Sequence, residues 1–235
     1  MRPVDRGEWP LDPTSACPIQ FQEYGDAKPH LLARLGYYCS YCEMRTTNVP
    51  AVEHKHHKSA RPDLERMWCN LLLSCGYCNP IKGHPAHFDL DDYFWPDQDN
   101  TARAIVVGPG GVVNAAPGLH DAHAARALRT IALVGLDRTP GGPREPSIAD
   151  ERWKHRHEAW ETASEAKRDL AAHDTPRMRQ RVVDQARHVG FWSVWMAVFA
   201  DDEDMRRRLI DGFPGTSRLC FDERGRPVAR PGGAL

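Results

Sequence analysis

The sequence has no apolar run long enough to cross a bilayer. Its longest, Phe191 to Ala200, is about half of the roughly 20 residues that a spanning helix needs. Met1 to Pro10 carries Arg2, Asp5, Arg6 and Glu8 and no apolar stretch, so no secretory leader is expected, and a soluble, cytoplasmic protein without membrane contact is predicted. Neither sign of charge dominates. Lys and Arg number 31 against 32 Asp and Glu, which excludes a protein-wide basic field and confines any nucleic-acid binding to a local patch. There is no repeat of fixed period and no low-complexity segment, which argues against solenoids and fibres. The G-x-x-x-x-G-K-[ST] phosphate loop is also missing, and Gly108 to Gly111 lacks the Lys and helix that would follow it.

What is present is an ordinary globular composition, 41% hydrophobic over 235 residues, enough for one large domain or two small ones with a real core. The seven cysteines are an odd number. Four of them form two Cys-x-x-Cys pairs, leaving Cys17, Cys69 and Cys220, so a disulfide framework fits poorly and thiolate metal ligands in a reducing cytosol fit well. Cys39-Ser-Tyr-Cys42 and Cys75-Gly-Tyr-Cys78 are 32 residues apart, and each knuckle turn can present two sulfurs to one ion. Four thiolates at about 2.3 Å complete a tetrahedral zinc and leave no open position. A structural zinc on Cys39, Cys42, Cys75 and Cys78 is therefore expected, supplying much of the folding free energy of a segment with few large apolar side chains.

The chain divides by pattern into five stretches. Residues 1–38 are punctuated by Pro and carry a short helix, Asp26 to Leu35, with Asp26 as N-cap and Gly36 as stop. Residues 39–84 hold both cysteine pairs, two strand-like runs and most of a histidine cluster. In 85–120 an acidic loop, Asp89 to Asp99, precedes a hairpin over Ala104 to Val113 centred on Gly-Pro-Gly-Gly. Residues 121–220 read as helices: Ala122 to Val134, a break through Pro140 to Pro143, Asp150 to Ala172, Arg177 to Val189, Phe191 to Ala200 and Glu203 to Ile210. Phe191, Val194, Trp195, Val198 and Phe199 mark one apolar face, expected to be core, and Trp153, Trp160, Ala163 and Leu170 mark another. Residues 221–235, mostly Gly, Pro and Arg, are expected to form a flexible surface tail.

Between the cysteine pairs lie Glu53-His54-Lys-His-His57-Lys58-Ser59 and Trp68-Cys-Asn70-Leu-Leu-Leu73-Ser-Cys75, with Asn79 and Lys82 just after the last cysteine. A zinc scaffold needs none of these polar residues. A phosphodiester hydrolase needs such a set: a base for water, an oxygen-ligand pair for a hard divalent ion, and a cation near the phosphate.

In this order the motifs resemble the HNH (ββα-metal) endonuclease family. More narrowly, Tyr38-Cys-Ser-Tyr-Cys-Glu43, Glu53-His54 with Lys58-Ser59, Trp68-x-Asn-Leu-Leu-Leu-Ser-Cys75 and Cys78-Asn-x-x-Lys-Gly83 are similar to the nuclease subunit of Septu-type and retron-associated anti-phage systems. The motifs cover about 45 residues. The resemblance implies an α+β fold in which a small ββα-metal zinc-knuckle core is embedded in a mainly α-helical chain. It implies His54 as general base, Glu53 and Asn79 as ligands of a catalytic Mg²⁺ or Mn²⁺, Asn70 as the residue that orients the base loop, and Lys82 as a phosphate contact. It further implies a DNA substrate and an ATPase subunit as partner. His57 stands where many relatives have Pro, and Pro80 sits early in the expected helix; both bear on local geometry.

Residues 39–84 hold six Lys or Arg and four acids, a modest positive patch. That points to a partner supplying grip on the nucleic acid. Two other readings compete: a non-catalytic zinc-ribbon adaptor that binds nucleic acid, and an RNA- or tRNA-cleaving toxin of the same family. Glu53, Asn70 and Asn79 favour catalysis, since a binder has no use for oxygen ligands beside a base.

Overall fold

Turn and cap chemistry sets most element ends. The computed structural model describes residues 1–46, 50–83, 85, 88–142 and 144–235; Val49 at the head of the first strand-like run, position 84 at the end of the cysteine segment and Pro143 in the interhelical break lie outside them. A 3₁₀ turn, Tyr24–Ala27, leads into α1 (Lys28–Leu35). The helix thus begins later than the sequence suggested, because Asp26 spends its carboxylate on the backbone N–H groups of Gln22 and Glu23, both at 2.9 Å. Gly36, at φ 72°, ends it as expected.

The two strand-like runs form β1 (Ala51–His54) and β2 (Leu71–Ser74), antiparallel, with Glu53 opposite Leu72 and His54 opposite Leu71. The five-residue α2 (Cys78–Lys82) follows β2 and ends at Gly83. After α3 (Thr101–Ala104), the hairpin pairs β3 (Ile105–Val107) with β4 (Val113–Ala115). The remaining helices are α4 (Asp121–Leu133), α5 (Arg152–Ala172), α6 (Pro176–Val189), α7 (Trp192–Val198) and α8 (Glu203–Gly212). Caps explain the agreement with sequence: Thr175 Oγ1 accepts from Met178 N–H at 3.1 Å, and Asp202 Oδ1 accepts from Met205 N–H at 2.9 Å. Helices with two small antiparallel sheets make the chain α+β, and among the described residues no helix is long and apolar enough to cross a membrane.

Two apolar clusters form the interior. The first joins α1, β2, the cysteines, Phe94, Trp95 and Ile131 of α4. The second joins α5 to α8 through Ala163, Leu170, Val183, Trp192, Trp195 and Leu209, so the apolar face of 191–199 is core. On α5 the buried face differs from the expected stripe. Arg152, Arg156, Ala159, Ala163, Ala166 and Leu170 are inside, at helical spacing, while Trp153 and Trp160 are half-buried. Reading arginine as an outward residue shifted the stripe. Asp150, expected to open this helix, instead grips Arg152, and the helix starts two residues later.

Two other segments depart from expectation. The acidic loop buries Phe94 and Trp95, and Asp97 takes Lys55 at 2.7 Å and Arg6 at 2.9 Å. Residues 221–235 run along the surface but are anchored: Arg230 donates to the carbonyls of Val4 and Pro96, and Asn100 Nδ2 donates to Val228 O at 2.6 Å. These contacts join segments far apart in the chain, which no local pattern announces.

The first cysteine knuckle is fastened to the helical part by Glu43. Its carboxylate, 5% exposed, accepts from Arg2 N–H at 2.5 Å, from Ser193 N–H at 2.7 Å and from Ser193 Oγ–H at 2.6 Å. Beside it Gly190, at φ 83°, lets Glu43 O accept from Phe191 N–H at 3.0 Å. A Cβ at Gly190 would lie 2.8 Å from Arg45 N and 3.0 Å from Glu43 O, both backbone atoms. Gly190→Ala is therefore expected to cost about 1–3 kcal/mol, read as a lowered melting temperature with zinc content unchanged. An unshifted melt would contradict this junction.

Candidate metal centre and active site

Cys39, Cys42, Cys75 and Cys78 are all buried, and their sulfurs lie within 4.8 Å of one another. Sulfurs on a tetrahedral zinc at about 2.3 Å stand ~3.8 Å apart, and Cys42 and Cys75 are at 3.7 Å. The four cysteines thus come together as the spacing predicted and could hold a structural zinc. Cys75 Sγ accepts from the backbone N–H of Cys78 at 3.4 Å, a bond that favours thiolate. Hydrogen bonds from the other three cysteines hold the Cys75 thiol far below its usual range.

Four thiolates leave a zinc with two net negative charges, and the surroundings answer with arginine. Arg152 Nη1 donates to Cys78 Sγ at 2.9 Å, while Asp150 takes its Nε and Nη2, both at 2.7 Å. Burial works against the Arg152 charge, but Asp150, Cys78 and Cys42 outweigh it and raise its pKa. Arg156, also buried, donates to the carbonyls of Gly111 and Leu136, and burial pushes it down to about 10. Sequence reasoning missed both arginines. Their signal was present: two Arg four residues apart on the face that continues as Ala159, Ala163 and Ala166.

Opposite the cysteines, β1 ends in Glu53-His54. His54 is half-buried, its ring edge-on to Tyr24 with centroids 4.8 Å apart, and Nε2 lies 2.9 Å from Glu65 O. A carbonyl oxygen can only accept, so Nε2 carries the proton and, in the neutral ring, Nδ1 carries the lone pair. Burial is the main force lowering the His54 pKa, with Lys58 and His57 adding to it. Asn70, buried at the foot of β2, binds the loop after His54 at three points. Its Oδ1 accepts from His56 N–H at 2.7 Å, and its Nδ2 donates to His56 O at 3.0 Å and Leu64 O at 3.2 Å.

Glu53 and Lys82 meet inside the protein. The Lys82 ammonium is 2.7 Å from Glu53 Oε1 and donates to His54 O at 2.8 Å, and Tyr41 Oη–H donates to Glu53 Oε2 at 2.5 Å. Burial raises the Glu53 pKa, and Lys82 and Tyr41 pull it back down. Asn79 sits half-exposed on α2, its N–H bonded to Cys75 O. Among the described residues both Glu53 oxygens are thus engaged, and in this arrangement Glu53 and Asn79 do not fit a bound Mg²⁺ or Mn²⁺ as an open oxygen-ligand pair. Lys82, expected to face phosphate, has its head group turned to Glu53. Tyr41 was not foreseen as its partner.

The loop that follows His54 lines a cavity of about 290 Å³ through Lys55, His56, His57 and Arg61, with Lys82 and Phe88 across from them; His54 itself is not part of the lining. Burial, and after it the charges of Arg61, Lys55 and Lys82, push the His56 pKa down, with Asp89 acting in the opposite direction. His56 and His57 carried no assignment from sequence, yet both line this cavity. No protein-family model matches the chain, and no curated protein matches it.

Proposed function

We propose that the chain is an HNH-type endonuclease that hydrolyses DNA phosphodiester bonds, with the β1–β2–α2 unit around the four cysteines as its ββα-metal core. The observation that carries this reading is His54: the Glu65 carbonyl fixes its proton on Nε2 and leaves Nδ1 as the base, and the bonds of Asn70 hold the loop that follows. His54 would take a proton from the attacking water. The cavity along the loop after His54 offers the His56 and His57 rings and the Arg61 side chain to an anionic phosphodiester. The motif resemblance implies a subunit that works with an ATPase partner in anti-phage defence, and the near balance of charge in the whole chain fits a nuclease that depends on a partner for its grip on DNA.

The test is cleavage of plasmid DNA and total RNA in Mg²⁺ or Mn²⁺ by the purified chain, alone and with the product of the neighbouring gene, wild type against His54→Ala. DNA cleavage lost in the variant supports the reading. Cleavage of RNA alone would favour the toxin alternative, and binding without cleavage would favour the adaptor.

The pH dependence adds a separate check. A base with a lowered pKa stays neutral to lower pH, so the acid limb of the cleavage profile is expected below 6.5, the ordinary imidazole value. An acid limb at or above that value would contradict the assignment.

A further inference from the structure

We propose that Lys58, held over the Tyr24 ring beside His54, is the cation that meets the nucleic-acid phosphate at this site, the role that the motif resemblance gives to Lys82. The inference rests on the nuclease reading and names the side chain of that site that touches its substrate. Lys82 is not available for the task. Its ammonium lies 2.7 Å from Glu53 Oε1 and 2.8 Å from His54 O, its side chain is 2% exposed, and drawing it out would strand a buried carboxylate.

The other Lys and Arg between Glu53 and Gly83 are committed elsewhere. Lys55 is buried on Asp97, Arg61 belongs to the neighbouring cavity and is gripped by Asp63 through two bonds, and Arg66 donates to the carbonyls of Phe21 and Gln22. Lys58 remains. Its side chain is 46% exposed, and its acidic partner, Glu65 Oε1, stands 3.5 Å away, beyond the usual hydrogen-bond length. An exposed pair of this kind contributes little, so a phosphate displaces it readily.

Its position also suits the chemistry. Lys58 Nζ lies 4.8 Å from the centre of the Tyr24 ring, and that ring meets the His54 ring edge-on, also at 4.8 Å. Laid end to end, a base, its water, the phosphorus and a cation on a phosphate oxygen span about 10 Å, and the two 4.8 Å steps keep the ammonium within that span. The loop fixes the placement. Asn70 holds His56 through both its N–H and its carbonyl, and His57 O accepts from the N–H groups of Ala60 and Arg61, both at 3.0 Å, which closes the turn that carries Lys58. Asn70 also holds Leu64 O, one residue before the Glu65 carbonyl that fixes His54. One buried side chain thus sets both base and cation, and an ammonium on a flexible stem reaches a phosphate oxygen without the two-pronged geometry that Arg requires.

The test is binding rather than cleavage. The zinc-loaded full chain, without added Mg²⁺ or Mn²⁺, is titrated against a fluorescently labelled DNA duplex at several salt concentrations and followed by anisotropy. Lys58→Met is expected to weaken binding about five- to tenfold at low salt and to shrink the slope of log affinity against log salt by about 0.9, the share of one phosphate contact. Lys58→Arg, which keeps the charge, is expected to retain the wild-type slope. A merely structural role for Lys58 would leave the slope unmoved.

A Lys58→Met protein that binds the duplex with wild-type affinity and slope would overturn the inference, and so would a wild type that does not bind the duplex. Should a zinc-retaining Lys82→Met protein lose the slope while Lys58→Met keeps it, the contact belongs to Lys82. Cleavage by a chain whose binding ignores Lys58 removes this inference and keeps the nuclease reading. Lys58-dependent binding by a chain that never cleaves does the reverse.

Discussion

His54→Ala is expected to lower phosphodiester cleavage by about 10²–10⁴-fold while the protein keeps its zinc and its fold. The size follows from what a positioned general base contributes to proton transfer, roughly 3–5 kcal/mol of barrier. The structural cost is smaller. His54 is half-buried at a strand end and gives up one ring hydrogen bond to Glu65 O and an edge contact with Tyr24. That amounts to about 1 kcal/mol, a shift of a few degrees in melting temperature. The β1–β2 pairing uses backbone groups and is untouched by the change. Cleavage at the wild-type rate would remove His54 from the mechanism. Lost cleavage accompanied by lost zinc would mean that the substitution had damaged the fold.

Cys75→Ser is expected to abolish stable zinc retention and to lower the melting temperature more than Gly190→Ala or His54→Ala does. Structural zinc sites contribute on the order of 10 kcal/mol to folding, comparable to the whole net stability of about 5–15 kcal/mol of an ordinary domain. In this chain the loss would spread. Cys75 closes β2, Cys78 opens α2, and Cys78 receives the Arg152 guanidinium that starts α5. Without the thiolate cluster Arg152 and Arg156 are buried charges with less to neutralise them. The helical part then loosens as well, and chelation of the wild type should reproduce the effect. Metal analysis and thermal melting check both. A Cys75→Ser protein with full zinc and an unchanged melt would refute the assignment of the four cysteines.

Much of the architecture was legible because it is local. Thr175 and Asp202 as caps, Gly36 and Gly190 as stops and the Gly-Pro-Gly-Gly turn act within a few residues, so helices and hairpin fell within a few residues of their expected ends. Knuckle spacing likewise brought the four sulfurs together. What escaped is of another kind. Arg152 reaches Cys78 across 74 positions, Glu43 reaches Ser193 across 150, and Lys55 reaches Asp97 across 42. Each is a buried polar contact whose partner lies in another element, and hydrophobic periodicity counts such residues as solvent-facing.

The sequence by itself determined the candidate chemistry: two thiolate pairs at metal spacing, a histidine after a glutamate, two asparagines and a lysine in order, and no long apolar span or dominant charge. Only the tertiary structure decided how those groups are engaged. It placed the Lys82 ammonium on Glu53, fixed the His54 proton through the Glu65 carbonyl, and drew two arginines of α5 toward the cysteines. The physical reason is that residue type and spacing set which groups can react, whereas burial sets which of them must be paired. A charge withdrawn from water takes whatever counter-charge the fold brings within reach, and that choice is made by packing between distant segments.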